Sequence, residues 1–340
     1  MSDLTNKIIE LIKQNKTVNE ISNETNLSNK QLYNIISIIG NSGYVFDRKY
    51  YYDGNIIYNQ RYKILDSNND GVKGIITNRD LENISFILIS DLHFGSLFER
   101  VDLMNIVYDY ATKNGINLII VAGDLIDGSY GSAKLYNDTS KQIEHLLRDY
   151  PFDKNILSFA VLGDHDYSSL KDNGQDISKI LNSYRHDIIP IGYQQGKIRI
   201  KKDDFSIRHK FAFKQNDTGV KNIDVLNEGI LIKGHTHEKL TASRYGKLFI
   251  ITLPPFCDLK NDILPSFSVM TLHFNNMDKI NKVILKHNIV LGGKIQNISE
   301  IASEIIPDTV YYDDSLIENN KSKYKTINFT RKINDLNDLY

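Results

Sequence analysis

Four times in this sequence a short apolar run breaks into a tight cluster of Gly, Asp and His. Phe86-Ile-Leu-Ile-Ser90 leads into Asp91-Leu92-His93, and Leu118-Ile-Ile-Val-Ala122 into Gly123-Asp124-Leu125-Ile126-Asp127-Gly128. Ser158-Phe-Ala-Val-Leu162 is followed by Gly163-Asp164-His165-Asp166, and Ile230-Leu-Ile-Lys233 by Gly234-His235-Thr236-His237. Apolar runs of this length, bounded by turn residues, read as strands buried on both faces. Between them, Arg100 to Thr112 and Tyr136 to Arg148 carry apolar residues at helical spacing. Strands at 84–90, 118–122 and 156–162 alternating with such helices predict an α/β domain. In an α/β sheet, ligands collect outside the C-terminal strand ends. The four clusters are therefore expected to converge.

The chemistry of the clusters fits a metal site. In extended backbone, residues i and i+2 point the same way, which would pair Asp91 with His93 and His235 with His237. Mixed carboxylate and imidazole donors suit Mn²⁺, Fe or Zn²⁺ better than Mg²⁺ or Ca²⁺. The glycines before Asp124, Asp164 and His235 permit sharp turns and close approach. Cys257 is the single cysteine. It rules out a disulfide framework and a multi-cysteine zinc site. His145, His273 and His287 belong to no cluster and are expected to be ordinary core or surface residues.

Asp-x-His, Gly-Asp-x-x-Asp-Gly, Gly-x-His-Asp and Gly-His-x-His, in this order, resemble the calcineurin-like metallophosphoesterase superfamily. Asp91 lies 33 residues before Asp124, which lies 40 before Asp164. The resemblance covers roughly residues 84 to 275 and implies a two-sheet α/β sandwich. Carried over residue by residue, it implies two divalent metal ions, Mn²⁺ first among the candidates. Asp91, His93 and His237 would hold one, Asp164 and His235 the other, with Asp124 bridging them. A further histidine should close a strand before the fourth cluster. His209, after Phe205-Ser-Ile-Arg208, is favoured over His186. The resemblance makes His165 catalytic and Asp127 its orienting carboxylate. The reaction implied is hydrolysis of a phosphate ester by a hydroxide held between the ions. One departure stands out: Asp164 occupies a position where the family has Asn, adding a negative charge. Gly128 stands where the family's protein phosphatases carry Arg, which favours a diester over a dianionic monoester.

The N-terminal region has a different pattern. Leu4, Ile8, Ile9, Leu11 and Ile12 mark a first helix; Thr17 with Glu20 forms a capping box for a second, and Ser28 caps a third. Aromatic runs around Asp53-Gly54 predict a β-hairpin. Three helices and a hairpin over residues 1–60 are read as a small winged helix-turn-helix domain. A polar connector follows at 61–83, then the phosphoesterase domain at 84–294 and a helix or tail at 295–340. Asn29, Lys30, Gln31 and Asn34 are the candidates for contact with DNA or RNA. Residues 1–60 carry six basic and six acidic side chains, so phosphate contact there should be weak. Asp66 to Gly71 imitates a calcium loop but lacks its closing carboxylate, and is expected to be a solvated turn.

With 41% hydrophobic and 24% charged residues, a net charge of −1 and no long apolar run, the chain reads as soluble, with no membrane partner. Met1 to Glu10 lacks the features of a secretory signal, so a cytoplasmic address is expected. The expected function is a phosphodiesterase or nuclease-like enzyme. A DNA-binding regulator with a ligand-sensing phosphoesterase-like domain is the alternative.

Overall fold

A computed structural model describes residues 3–41, 45–52, 57–65, 72–77, 81–209, 214–215, 221–222, 228–245, 247–258 and 263–304. The Asp53-Gly54 turn, the calcium-like segment 66–71 and the tail from 305 onward lie outside them.

Helices α1 (Asp3–Lys13), α2 (Val18–Thr25) and α3 (Asn29–Asn41) open the chain. Capping chemistry sets the starts of α2 and α3. Thr17 Oγ1 accepts from the Glu20 amide at 3.1 Å while Glu20 accepts from the Thr17 amide at 2.7 Å. Ser28 and Gln31 repeat the exchange at α3. Ile8, Ile12, Ile21, Leu32, Ile36 and Ile39 form the helical core, joined by Tyr62 from the following strands. Those strands, β1 (Val45–Tyr52) and β2 (Ile57–Leu65), pair antiparallel.

The hairpin does not stand apart. β3 (Val72–Thr77), inside the stretch expected to be a connector, pairs in parallel with β1 and with β8 (Gln195–Ile200). An unpaired strand edge is a strong acceptor of further strands, and here the N-terminal strands extend a sheet of the larger domain. That sheet also contains β9 (Asp203–Arg208), β12 (Glu228–Lys233), β13 (Thr241–Tyr245) and β14 (Lys247–Thr252). A two-residue pair, β10 (Lys214–Gln215) and β11 (Lys221–Asn222), interrupts the sequence.

The second sheet has β4 (Asn83–Ile89), β5 (Leu118–Ala122), β6 (Leu157–Leu162) and β7 (Ile188–Tyr193) in parallel. β15 (Ser266–Phe274), β16 (Ile280–Leu291) and β17 (Lys294–Glu304) extend it antiparallel. Helices α4 (Val101–Lys113), α5 (Thr139–Asp149), α6 (Asp164–Asn173) and α7 (Ile177–Tyr184) connect the parallel strands. β4 shows why its run is continuously apolar: Ile84, Phe86 and Leu88 enter the core between the sheets, Ile87 and Ile89 the core beneath the helices.

After Lys197 the short strands mix two arrangements: β8 and β9 form an antiparallel pair, as do β13 and β14, whereas β9, β12 and β14 run parallel. The ends of β9 and β12 consequently emerge together, which brings their loops to one place. One expectation is corrected: residues 295–304, expected to belong to a helix or tail, form β17 together with Lys294. The missed signal is Leu291-Gly-Gly-Lys294: both glycines have positive φ, 56° and 73°, the two-residue turn that closes a hairpin. No described helix is long and apolar enough to cross a membrane.

His287 lies on β16, 7% exposed, with Nδ1 3.2 Å from Ser268 Oγ. Burial pushes its pKa down to about 4. The folded value is depressed, so its contribution is fully present above the unfolded value near 6.5 and is lost as pH falls toward 4. A shift of this size corresponds to about 3 kcal/mol. In chelator, denaturant unfolding of His287→Gln should lose less stability than the native chain between pH 7 and pH 4. Parallel losses would exclude His287 as the titrating group.

Candidate metal centre

The site forms where five strands of the two sheets end. The loops after β4, β5, β6, β9 and β12 supply Asp91 and His93, Asp124 and Asp127, Asp164 and His165, His209, and His235 and His237. Two four-residue groups of donors result, beside a smaller one of His93, Asp127 and His165. Asp91, His93, Asp124 and His237 form one; Asp124, Asp164, His209 and His235 form the other. Asp124 belongs to both. Its Oδ2 lies 2.9 Å from His209 Nε2 and 3.8 Å from His93 Nε2. His237 Nε2 is 3.1 Å from Asp91 Oδ1 and 3.3 Å from His93 Nε2. In the second group Asp164 Oδ1 is 3.2 Å from His209 Nε2 and 3.3 Å from His235 Nδ1.

The backbone that achieves this is not extended. Asp91, His93, Asp124, His235 and His237 all have φ between 49° and 73°. That left-handed region is disfavoured for residues with a β-carbon, costing on the order of 1–3 kcal/mol each. The expected pairing of i and i+2 through a strand is thus corrected. The strands have ended, and two left-handed residues fold each Asp-x-His or His-x-His segment so that both side chains face inward. Gly123, at φ 106°, adds the conformation only glycine takes freely, and a β-carbon there would overlap the His209 ring. Gly163 supplies space instead: its β-carbon would lie 2.0 Å from Asp124 Oδ1.

Electrostatics explains what holds the groups together. Asp91 and Asp124 are 0% and 1% exposed, an arrangement that needs compensating positive charge. Burial would raise the Asp91 pKa, but the bond from His237 and the charges of His209, His237 and His93 hold it at about 2. His209 shows the complement. Burial opposes its charged form, yet Asp124, Asp164 and Asp91 lift it to about 11. Contacts with His209 and His235 hold Asp164 well below the usual carboxylate range. Asp164 is also the first residue of α6, where the helix dipole favours negative charge. That placement offsets part of the charge which Asp adds over Asn.

The donor set fits divalent cations. Carboxylate oxygens and imidazole nitrogens, mostly buried, face one another with few other partners. His209 Nδ1 is engaged with the Ala122 carbonyl at 2.8 Å, which leaves Nε2 facing the carboxylates. A cation here would take over the charge compensation that an imidazolium proton otherwise provides.

The remaining predicted residues fall as follows. His209, not His186, joins the cluster; His186 lies against Tyr33 of α3, ring centroids 4.2 Å apart. His165 stands beside the first group, its Nδ1 2.6 Å from the main-chain carbonyl of Asp127. The Asp127 carboxylate was expected to orient His165, but it lies 3.2 Å from His93 Nδ1. The partner of His165 Nδ1 is therefore the main-chain carbonyl of Asp127 and not its carboxylate. Asn29, Lys30, Gln31 and Asn34 are exposed on α3, remote in sequence from the cluster. Asn29 bonds Asn19, and Gln31 bonds Ser28.

Two residues were missed. Asp166, fully buried, accepts from the amides of Leu125, Ile126 and Gly163 at 3.1, 2.9 and 2.7 Å. It ties the second cluster to the third; its signal was its place at the end of the third motif. Burial, then the charge of Asp124, pushes its pKa up to about 7. Gln142, buried in α5, accepts from the Gly128 amide at 2.7 Å and donates to the Tyr136 carbonyl at 2.7 Å. Nothing in an amphipathic helix marks such a glutamine. Asp166→Asn keeps the shape but replaces one acceptor oxygen with a donor facing amides. It should cost about 2 kcal/mol in denaturant unfolding; an unchanged midpoint would remove Asp166 from this role.

The calcineurin-like phosphoesterase family model matches residues 84–288. No curated protein matches the chain. Among solved structures, a single mutant of Vps29 from Entamoeba histolytica is 15% identical, covering 65% of this chain and 100% of its own, with TM-score 0.38. Purple acid phosphatase PPD1 from yellow lupin is 9% identical, covering 75% and 60%, with TM-score 0.43. Nuclease MPE from Pseudomonas putida is 14% identical, covering 63% and 87%, with TM-score 0.30.

Proposed function

The chain belongs to the calcineurin-like phosphoesterase family, and from that premise we propose that it is a binuclear-metal phosphodiesterase. The observation that carries the reading is the pair of donor groups joined through Asp124. Asp91, His93 and His237 would hold one divalent ion, Asp164, His209 and His235 the other, with Asp124 between them. Bound there, two ions supply a positive field for the phosphoryl oxygens and lower the pKa of water. Mn²⁺ suits the mixed oxygen and nitrogen donors.

The chain's own residues do the rest. Asp127 O fixes His165 Nδ1 as the protonated nitrogen, so Nε2 is free to accept a hydrogen bond or, once protonated, to donate one. His165 so placed stabilises charge on the phosphoryl or leaving-group oxygen. The Asp127 carboxylate beside His93 Nδ1 favours the tautomer that directs His93 Nε2 to the metal. Asp124 Oδ1 accepts from the His165 amide at 3.1 Å, which couples the shared carboxylate to the catalytic turn. Gly128, in place of a cationic side chain, supports a singly charged diester as substrate.

For the N-terminal region the reading is a winged-helix module that brings a nucleic-acid substrate to the enzyme. Three helices, the second and third opened by side-chain caps, with a following strand pair support it, and Lys30 and Asn34 are its exposed candidates. The same reading treats residues 1–60 as this module and 84–294 as the catalytic domain.

Bis(p-nitrophenyl) phosphate with added Mn²⁺ should be hydrolysed by the full chain. His165→Ala should reduce kcat by about 10²- to 10⁴-fold, and Asp124→Asn should lose metal as well as turnover. Absence of turnover with Mn²⁺, Fe²⁺ or Zn²⁺ would sink the enzyme reading. Metal affinity should also rise with pH throughout the range below about 11, because His209, lifted to about 11 by its carboxylate neighbours, must lose its proton to ligate; calorimetric titration at successive pH values measures it.

A further inference from the structure

Beside the first donor group lies a cavity of about 310 Å³. His93, His165 and His237 line it together with Asp127, Phe98, Tyr130 and Ser132. Neither lysine nor arginine lines it among the described residues. The cavity therefore offers no counter-charge for a second phosphate. It suits a neutral group attached to a phosphoryl centre held at the histidines.

Tyr130 gives that group its chemistry. Half of the residue is exposed (50%), and its ring meets His165 edge-on with centroids 5.8 Å apart. Phe98 is also exposed, at 37%. A perpendicular contact with His165 takes up at most one face of the Tyr130 ring, and aromatic faces accept flat partners in offset stacking. The backbone that carries the ring is held close to the site. A β-carbon on the next residue, Gly131, would lie 1.6 Å from Asp127 Oδ2, so the chain after Tyr130 is pressed directly onto the site floor. Lys134 Nζ donates to the Ser129 carbonyl at 2.9 Å, closing the same loop from its other end.

The geometry points to a ring-stacking subsite, in which Tyr130 receives a nucleobase on one side of the phosphodiester while the phosphoryl group lies at His93, His165 and His237. This rests on the phosphoesterase reading and narrows its substrate to nucleotide esters. Every base has a π face, so such a subsite selects for a ring rather than for a sequence, and stacking on one aromatic side chain contributes on the order of tenfold in affinity.

Binding to the Mn²⁺-loaded full chain tests it, measured by calorimetry with three ligands sharing one phosphate group: thymidine 5′-phosphate, ribose 5-phosphate and hexyl phosphate. The thymidine ligand should bind about tenfold more tightly than the other two. Tyr130→Ala and Tyr130→Leu should erase that margin, whereas Tyr130→Trp should keep it. Tyr130 is half exposed, so these variants should fold, and retention by Trp shows that the fold is intact. Equal affinity for all three ligands overturns the subsite, as does a preference for thymidine that survives in Tyr130→Leu. Hexyl phosphate binding as tightly as the thymidine ligand assigns the cavity to apolar chains and overturns it too. The margin is read from binding and stays readable in a protein that turns nothing over. Hydrolysis of bis(p-nitrophenyl) phosphate reports separately on the phosphoesterase reading.

Discussion

Asp124 occupies the point on which the rest of the molecule depends. One oxygen of its buried carboxylate faces His209 and, farther off, His93; the other accepts the His165 amide at the start of α6. A carboxylate with 1% exposure cannot stay charged there without positive or hydrogen-bonding partners on every side. Meeting that demand requires loops from both sheets, so the two-sheet architecture and the site are one problem. The left-handed backbone at five site residues adds strain. Strain of this kind persists only where the surroundings over-determine it. Here Asp166 and Gln142 bind the amides of the second cluster from below, and the sheets fix its flanks.

Asp164 illustrates how position alters the meaning of a residue. As a sequence change it adds negative charge to an anion-binding site. In the structure it heads a helix and faces two imidazoles. Both surroundings favour the ionised form, so the added charge is accommodated by groups already present. The second donor group remains complete with an oxygen ligand at this place.

The N-terminal helices are tied to the catalytic domain in two ways. β1 continues the larger sheet through β3, and Tyr33 of α3 packs on His186 at the end of α7. The polar and apolar faces of α3 are thereby divided, Tyr33 turned toward the catalytic domain and Lys30 and Asn34 toward solvent. Sequence reading treated 61–83 as a connector because its apolar pieces are short. A strand needs few residues when neighbours on both sides supply its hydrogen bonds, and β3 has β1 and β8. The β17 hairpin escaped for a related reason. Ile295, Ile298 and Ile301 have the spacing of a helix face, and the ladder to β16 overrode it once Gly292 and Gly293 had set the turn.

What the sequence determined by itself was the alternation of strand and helix, the capping box at Thr17 and the cap at Ser28, and the donors gathered after each strand. These are local: a buried strand must be apolar, a helix start favours a side-chain acceptor, and Asp and His carry the oxygen and nitrogen donors a divalent cation takes. Tertiary structure alone decided which donors share a group, that Asp127 turns its carboxylate to His93 and its carbonyl to His165, and that β3 joins two regions into one sheet. Those outcomes depend on distances between segments far apart in the chain. No spacing along the sequence records them, because side-chain direction at a strand end follows from left-handed turns and from packing on neighbouring loops.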